Sequence, residues 1–79
     1  MKFWGYTQEE LAEAAEPQPK ALIEVTISAT PSDLREIAKF LSSAADTIEA
    51  QGRDFEHEHF SNNATDAPRL IVFNPLALE

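Results

Sequence analysis

The 79 residues carry fourteen acidic side chains against six basic ones, a formal net charge of −8, and no cysteine. The missing thiols exclude a disulfide framework and any thiolate-held zinc, and they fit a reducing compartment. So negative a body repels nucleic-acid phosphates and anionic membranes, which leaves a basic protein partner or plain solubility as the reason for the charge.

A chain this short forms one domain, 1–79, and buries roughly 60% of its unfolded surface, enough for one main helix on a small sheet. No apolar core of a signal peptide follows Met1-Lys2-Phe3-Trp4-Gly5-Tyr6, and no run approaches the ~18 apolar residues of a membrane span. The expectation is a soluble cytoplasmic protein.

Met1 to Tyr6 is an aromatic-rich strand candidate. Thr7-x-x-Glu10 has the form of a capping box, so Glu9 to Ala15 reads either as two helical turns or as an acidic hairpin loop. Pro17 and Pro19 end whatever forms there. From Ala21 to Ala29 the chain alternates with period two, Ile23, Val25 and Ile27 on one side and Glu24, Thr26 and Ser28 on the other. That pattern predicts a strand with one face on the core and one in water.

A helix is predicted from Pro31. Thr30 is a suitable N-cap, Pro31 suits the first helical position, and Asp33 completes a variant capping box. Leu34, Ile37, Ala38, Leu41, Ala45 and Ile48 then form one apolar stripe, opposite Arg35, Lys39, Ser42, Ser43, Asp46 and Glu49. Gly52 closes the helix. Residues Arg53 to Pro68 are polar, with Asn62-Asn63 and Asp66-Ala67-Pro68 as loop signals. Leu70-Ile71-Val72-Phe73, between Pro68 and Pro75, reads as a central strand.

The expected fold is α+β, a two-layer sandwich with a small sheet of about three strands and one main helix on one face. If the strands flanking the helix are parallel, their connection is right-handed. The second sheet face would stay open. If Ile71 and Phe73 point there, with Trp4 or Phe3 beside them, an apolar patch is left for a partner, for a homodimer, or for Leu76-Ala77-Leu78 to fold back upon.

Both histidines lie in one run, Asp54-Phe55-Glu56-His57-Glu58-His59-Phe60. On an extended segment His57 and His59 project to the same side, so both imidazoles can reach one metal ion, with Asp54, Glu56 or Glu58 as oxygen donors. No third nitrogen or sulfur ligand exists in the chain. The alternatives are a solvated segment anchored by Phe55 and Phe60, or a pH-sensitive contact. Phe40, on the flank of the helical stripe, is either a core-edge aromatic or an exposed anchor for a partner.

Features that carry catalysis are missing: no cysteine, no Gly-x-Ser-x-Gly elbow, no glycine-rich phosphate loop, and two glycines in all. The pair Glu56 and Glu58 lacks the burial that tunes a general acid. The chain is therefore read as a non-enzyme without a cofactor. Asn63-Ala64-Thr65 matches a glycosylation sequon, which without a secretory signal is a chance match.

Three pieces in order resemble the immunity protein 32 family of bacterial polymorphic toxin systems. They are Glu24-Val25-Thr26-Ile27-Ser28-Ala29-Thr30-Pro31-Ser32-Asp33-Leu34, then Phe55-Glu56-His57-Glu58-His59-Phe60, and finally Leu70-Ile71-Val72-Phe73-Asn74-Pro75. The resemblance implies a small α+β protein that binds and neutralises a cognate toxin and has no catalysis of its own. Charge then suggests docking on a basic toxin surface through Asp54, Glu56, His57, Glu58, His59 and Phe40, with the acidic Glu9–Glu16 stretch as a second candidate. The readings set beside it are a small homo-oligomeric structural or regulatory domain and a His57/His59 metal-binding module.

Overall fold

The computed structural model describes residues 1–13, 15–60 and 69–78. The Asn62-Asn63 and Asp66-Ala67-Pro68 loop signals and the sequon lie outside the described residues. In chain order the elements are β1 (Phe3–Gly5), α1 (Gln8–Glu13), β2 (Lys20–Leu22), α2 (Pro31–Gln51), a 3-10 turn (Gly52–Asp54), β3 (His57–His59), β4 (Ile71–Phe73) and a second 3-10 turn (Pro75–Leu78). The class is α+β with one main helix, as the sequence pattern predicts.

The main helix follows from local chemistry at both ends. Thr30 stays extended, and its Oγ1 accepts a hydrogen bond from the Asp33 amide at 3.1 Å. Pro31 begins the helix, where a missing amide hydrogen leaves no bond unmade. At the far end Gly52 takes φ +58° and returns its amide to the Ile48 carbonyl. A side chain there would strain the backbone, which is why glycine stops the helix. The capping box of α1 also forms: the Glu10 amide donates to Thr7 Oγ1 at 3.1 Å, and the Thr7 amide donates to Glu10 Oε1 at 3.4 Å.

The sheet differs from the expected single layer of three strands. Among the described residues two separate two-stranded antiparallel sheets form, β1 with β2 and β3 with β4. Phe3 pairs with Leu22 and Gly5 with Lys20; His57 pairs with Phe73 and His59 with Ile71. The segment predicted as one strand from Ala21 to Ala29 is paired only through Leu22; a bend falls at Ile23, and no regular structure follows up to the helix. Nor is Ile71–Phe73 a central strand, because β3 is its one neighbour among the described residues. β1 reaches β2 across α1, both pairs are antiparallel, and among the described residues no parallel crossover joins the strands that flank α2.

The helix also turns a different side inward. Ala44 is buried, with Ile37, Phe40, Thr47 and Ile48 half-buried, whereas Leu34 and Leu41 stay exposed. At 3.6 residues per turn, this line is rotated by roughly a quarter turn from the predicted stripe. The cause is the partner: Phe40 meets Phe60 with ring centroids 5.2 Å apart, and α2 runs directly into the 3-10 turn that it packs against.

The most closely tied point is Asn74, which is 1% exposed. Its Nδ2 donates to the carbonyls of Gly52 at 2.9 Å and Phe55 at 2.8 Å, while its Oδ1 accepts from the Leu76 amide at 3.2 Å. Its own amide donates to the Glu56 carbonyl at 2.8 Å. The C-terminal 3-10 turn thereby folds back on the first one. Asn74→Ala leaves these groups unpaired and should lower unfolding stability by about 2–3 kcal/mol. Asn74→Asp should cost at least as much, because two carbonyls would then face a carboxylate. Thr30→Ala should cost about 1 kcal/mol. Urea unfolding of the three variants tests this order.

Candidate functional site

The His57-Glu58-His59 run is a strand, not a loop. Its ladder reaches past the strand ends, since the Phe60 amide donates to the Leu70 carbonyl at 2.8 Å and the Asn74 amide to that of Glu56. Because side chains alternate along a strand, this register divides the hairpin into two faces. Phe60, Leu70, Val72 and Asn74 are half-buried or buried and share one face; the Phe60 ring on Phe40 shows that this face meets α2. His57, His59, Ile71 and Phe73 share the other face, and all four are exposed.

Ile71 and Phe73 are thus the apolar part of an open face, as anticipated, but their companions differ. Opposite them stand His57 and His59, whereas Phe3 and Trp4 belong to the other sheet. Across the ladder His57 faces Phe73 and His59 faces Ile71, so two imidazoles and two large apolar side chains form one patch. Carboxylates border it. Glu56 Oε1 lies 3.5 Å from His57 Nδ1, and Asp54 is exposed nearby in the chain, whereas Glu58 pairs with Val72 and so is exposed on the opposite face, apart from the patch. Sequence reasoning placed the histidines and the apolar pair in separate arguments. Their joint register was the missing step, and the signal for it was the equal spacing of His57/His59 and Ile71/Phe73.

The two imidazoles meet edge to face, with centroids 5.2 Å apart and planes at 69°. Among the described residues no group of three or more His, Cys, Asp or Glu side chains converges as a metal cage. Phe55, predicted as an anchor, is buried, and Phe60 is half-buried. Phe40, named as a partner contact, is half-buried and gives its ring to Phe60.

The second candidate surface, the Glu9–Glu16 stretch, starts in α1. There Lys20 Nζ approaches Glu10 Oε2 at 3.3 Å, joining the helix start to β2. Hydrogen bonding with Thr7 first, and then with Lys20, holds the Glu10 carboxyl below the usual glutamate range. A depressed carboxyl stabilises the fold above its unfolded-state pKa, and that support disappears as pH falls through the folded-state value. Glu10 should therefore titrate below an ordinary glutamate by NMR, and Thr7→Val should move its midpoint upward.

Among the described residues no helix is long and apolar enough to cross a membrane. No curated protein and no solved structure matches the chain. A family model does: that of immunity protein 32, over residues 24–75. The match runs from the unpaired segment before α2, through the Asn74 junction and the histidine-bearing hairpin, and on these grounds the chain belongs to the immunity protein 32 family.

Proposed function

We propose that this protein binds a cognate bacterial toxin and neutralises it through the open face of the β3–β4 hairpin. Membership of an immunity-protein family is the observation that carries the reading. The surface gives it a physical form. Phe73 and Ile71 supply apolar area that a partner can desolvate, His57 and His59 supply polar rings beside it, and Glu56, 3.5 Å from His57, puts a carboxylate at its border, with Asp54 exposed just before it in the chain and Glu58 exposed on the opposite face. Phe40, half-buried against Phe60, supports the hairpin from the α2 side. A net charge of −8 attracts a basic surface, such as the substrate groove of a nuclease toxin, and raises the association rate.

In this reading the protein works in the cytoplasm of the toxin-producing bacterium and turns over no substrate. Blocking a toxin requires a stable complex, so the chemistry is recognition alone. The acidic Glu9–Glu16 stretch, which starts in α1, is a further steering surface on the same molecule.

The test is protection. Cells expressing the toxin domain encoded beside this gene should survive when the chain is co-expressed, and the two purified proteins should form a complex. Phe73→Ala should weaken that complex by roughly 30-fold, the effect of losing a central anchor, chiefly through faster release. Glu56→Lys should slow association at low salt and change little at high salt. Protection that survives both substitutions unchanged would move the contact elsewhere. A chain that neither binds nor protects would overturn the toxin-binding reading.

A further inference from the structure

The molecule is unusually open for its mass. Its accessible surface is 7013 Å², whereas a compact monomer of 8.8 kDa exposes about 4,800 Å². Its radius of gyration is 13.9 Å against about 11.6 Å for a compact chain of this length. Part of the excess lies where the sequence predicts a strand. Val25 is 46% and Ile27 55% exposed, and Ile23 is wholly so. Among the described residues, no backbone hydrogen bond joins residues 24–29 to any other part of the chain.

We propose that residues 23–29 are a self-pairing strand, and that a second copy of this chain occupies it by antiparallel pairing about a two-fold axis through Thr26. The composition suits a strand, with Ile23, Val25, Thr26 and Ile27 all β-branched. Their backbone groups are free for strand addition. A two-fold at Thr26 sets Val25 against Ile27, Ile23 against Ala29 and Glu24 against Ser28. The apolar side chains of both copies then share one face, and the two Glu24 carboxylates lie at opposite ends of the pair. Isologous pairing of this kind closes on itself and gives a dimer.

Self-complementarity favours a second copy as occupant. Opposing Val25 to Ile27 leaves Ile23, Val25 and Ile27 of each copy covering the same side chains of the other while the two Glu24 carboxylates stay apart, so the exposed apolar residues of the segment are complementary to themselves. A shallow groove of about 430 Å³ lined by Phe3, Trp4, Leu22 and Ile23 adjoins the start of the segment and continues the apolar surface. This pairing uses residues outside the β3–β4 face and does not depend on the toxin-binding reading.

The chain has no cysteine, so an introduced one reports without background. Residues facing each other across antiparallel strands have Cα atoms about 4.5–5.5 Å apart, within disulfide reach. Thr26→Cys should oxidise to a covalent dimer at least tenfold faster than Ser42→Cys, a control on the exposed side of α2. The wild-type chain should sediment at twice the monomer mass, and Val25→Lys should weaken that dimer at least tenfold. Because like-charged bodies associate, added salt should tighten the dimer, opposite to its effect on an acid–base toxin complex. A wild-type monomer at 100-micromolar concentration would overturn the proposal. So would a dimer in which Thr26→Cys oxidises no faster than the control, a readout that remains if Val25→Lys fails to fold.

Discussion

One buried carboxamide determines how the half of this protein that holds the β3–β4 hairpin is assembled. Asn74 gives both hydrogens of its Nδ2 to carbonyls that leave the end of α2 and the start of β3, and takes a hydrogen bond from the turn that follows it. An amide removed from water without partners is costly, so β4 can reach this position only when the Gly52–Phe55 backbone is there to receive it. Helix end, hairpin base and C-terminal turn are thus tied through one side chain.

The same junction specifies which face of the hairpin meets water. With Asn74 held inward, strand alternation places Val72, Leu70 and Phe60 toward α2 and sends His57, His59, Ile71 and Phe73 outward. A slip of one residue would exchange the two sets, exposing Asn74 and bringing two histidines against Phe40. The open face is therefore a consequence of a polar group that never appears on it. Very little apolar burial supports the arrangement, since Ala44 and Phe55 are the buried apolar residues among those described. Directional hydrogen bonds supply the specificity that so small a core cannot.

The parts legible in the sequence are those fixed by neighbours a few residues away. Thr30, Pro31 and Asp33 define a helix start by geometry that fits within one turn, and Gly52 defines its end by the sign of one torsion angle. The Thr7–Glu10 box is equally local. Pairing partners were not legible, because no two-residue turn signal links β1 to β2 or β3 to β4, and alternation alone does not say which strand a strand will meet. The helix stripe was misplaced for the same reason: Leu34 and Leu41 are more apolar than Ala44, but the inward side is the one on which Phe60 and the 3-10 turn arrive. Asn74 stood in the sequence only as a member of the closing Leu70-Ile71-Val72-Phe73-Asn74-Pro75 piece, because the carbonyls it binds lie 19 and 22 residues away.

A strand-like segment left open in water is a hazard, because a free edge pairs with whatever edge it meets. Two features of this chain restrict that freedom. The charge of −8 holds copies apart at long range, so only a contact with enough short-range area persists. Glu24 then discriminates between registers within the segment. An axis through residue 24 would set two carboxylates face to face, and an axis through residue 25 would leave them diagonal neighbours; an axis through Thr26 separates them furthest while keeping Val25 and Ile27 opposed. The acidity that would suit this molecule to the proposed basic partner would thus also limit how it meets itself, and the single charge inside the apolar segment would select the alignment of the proposed pair.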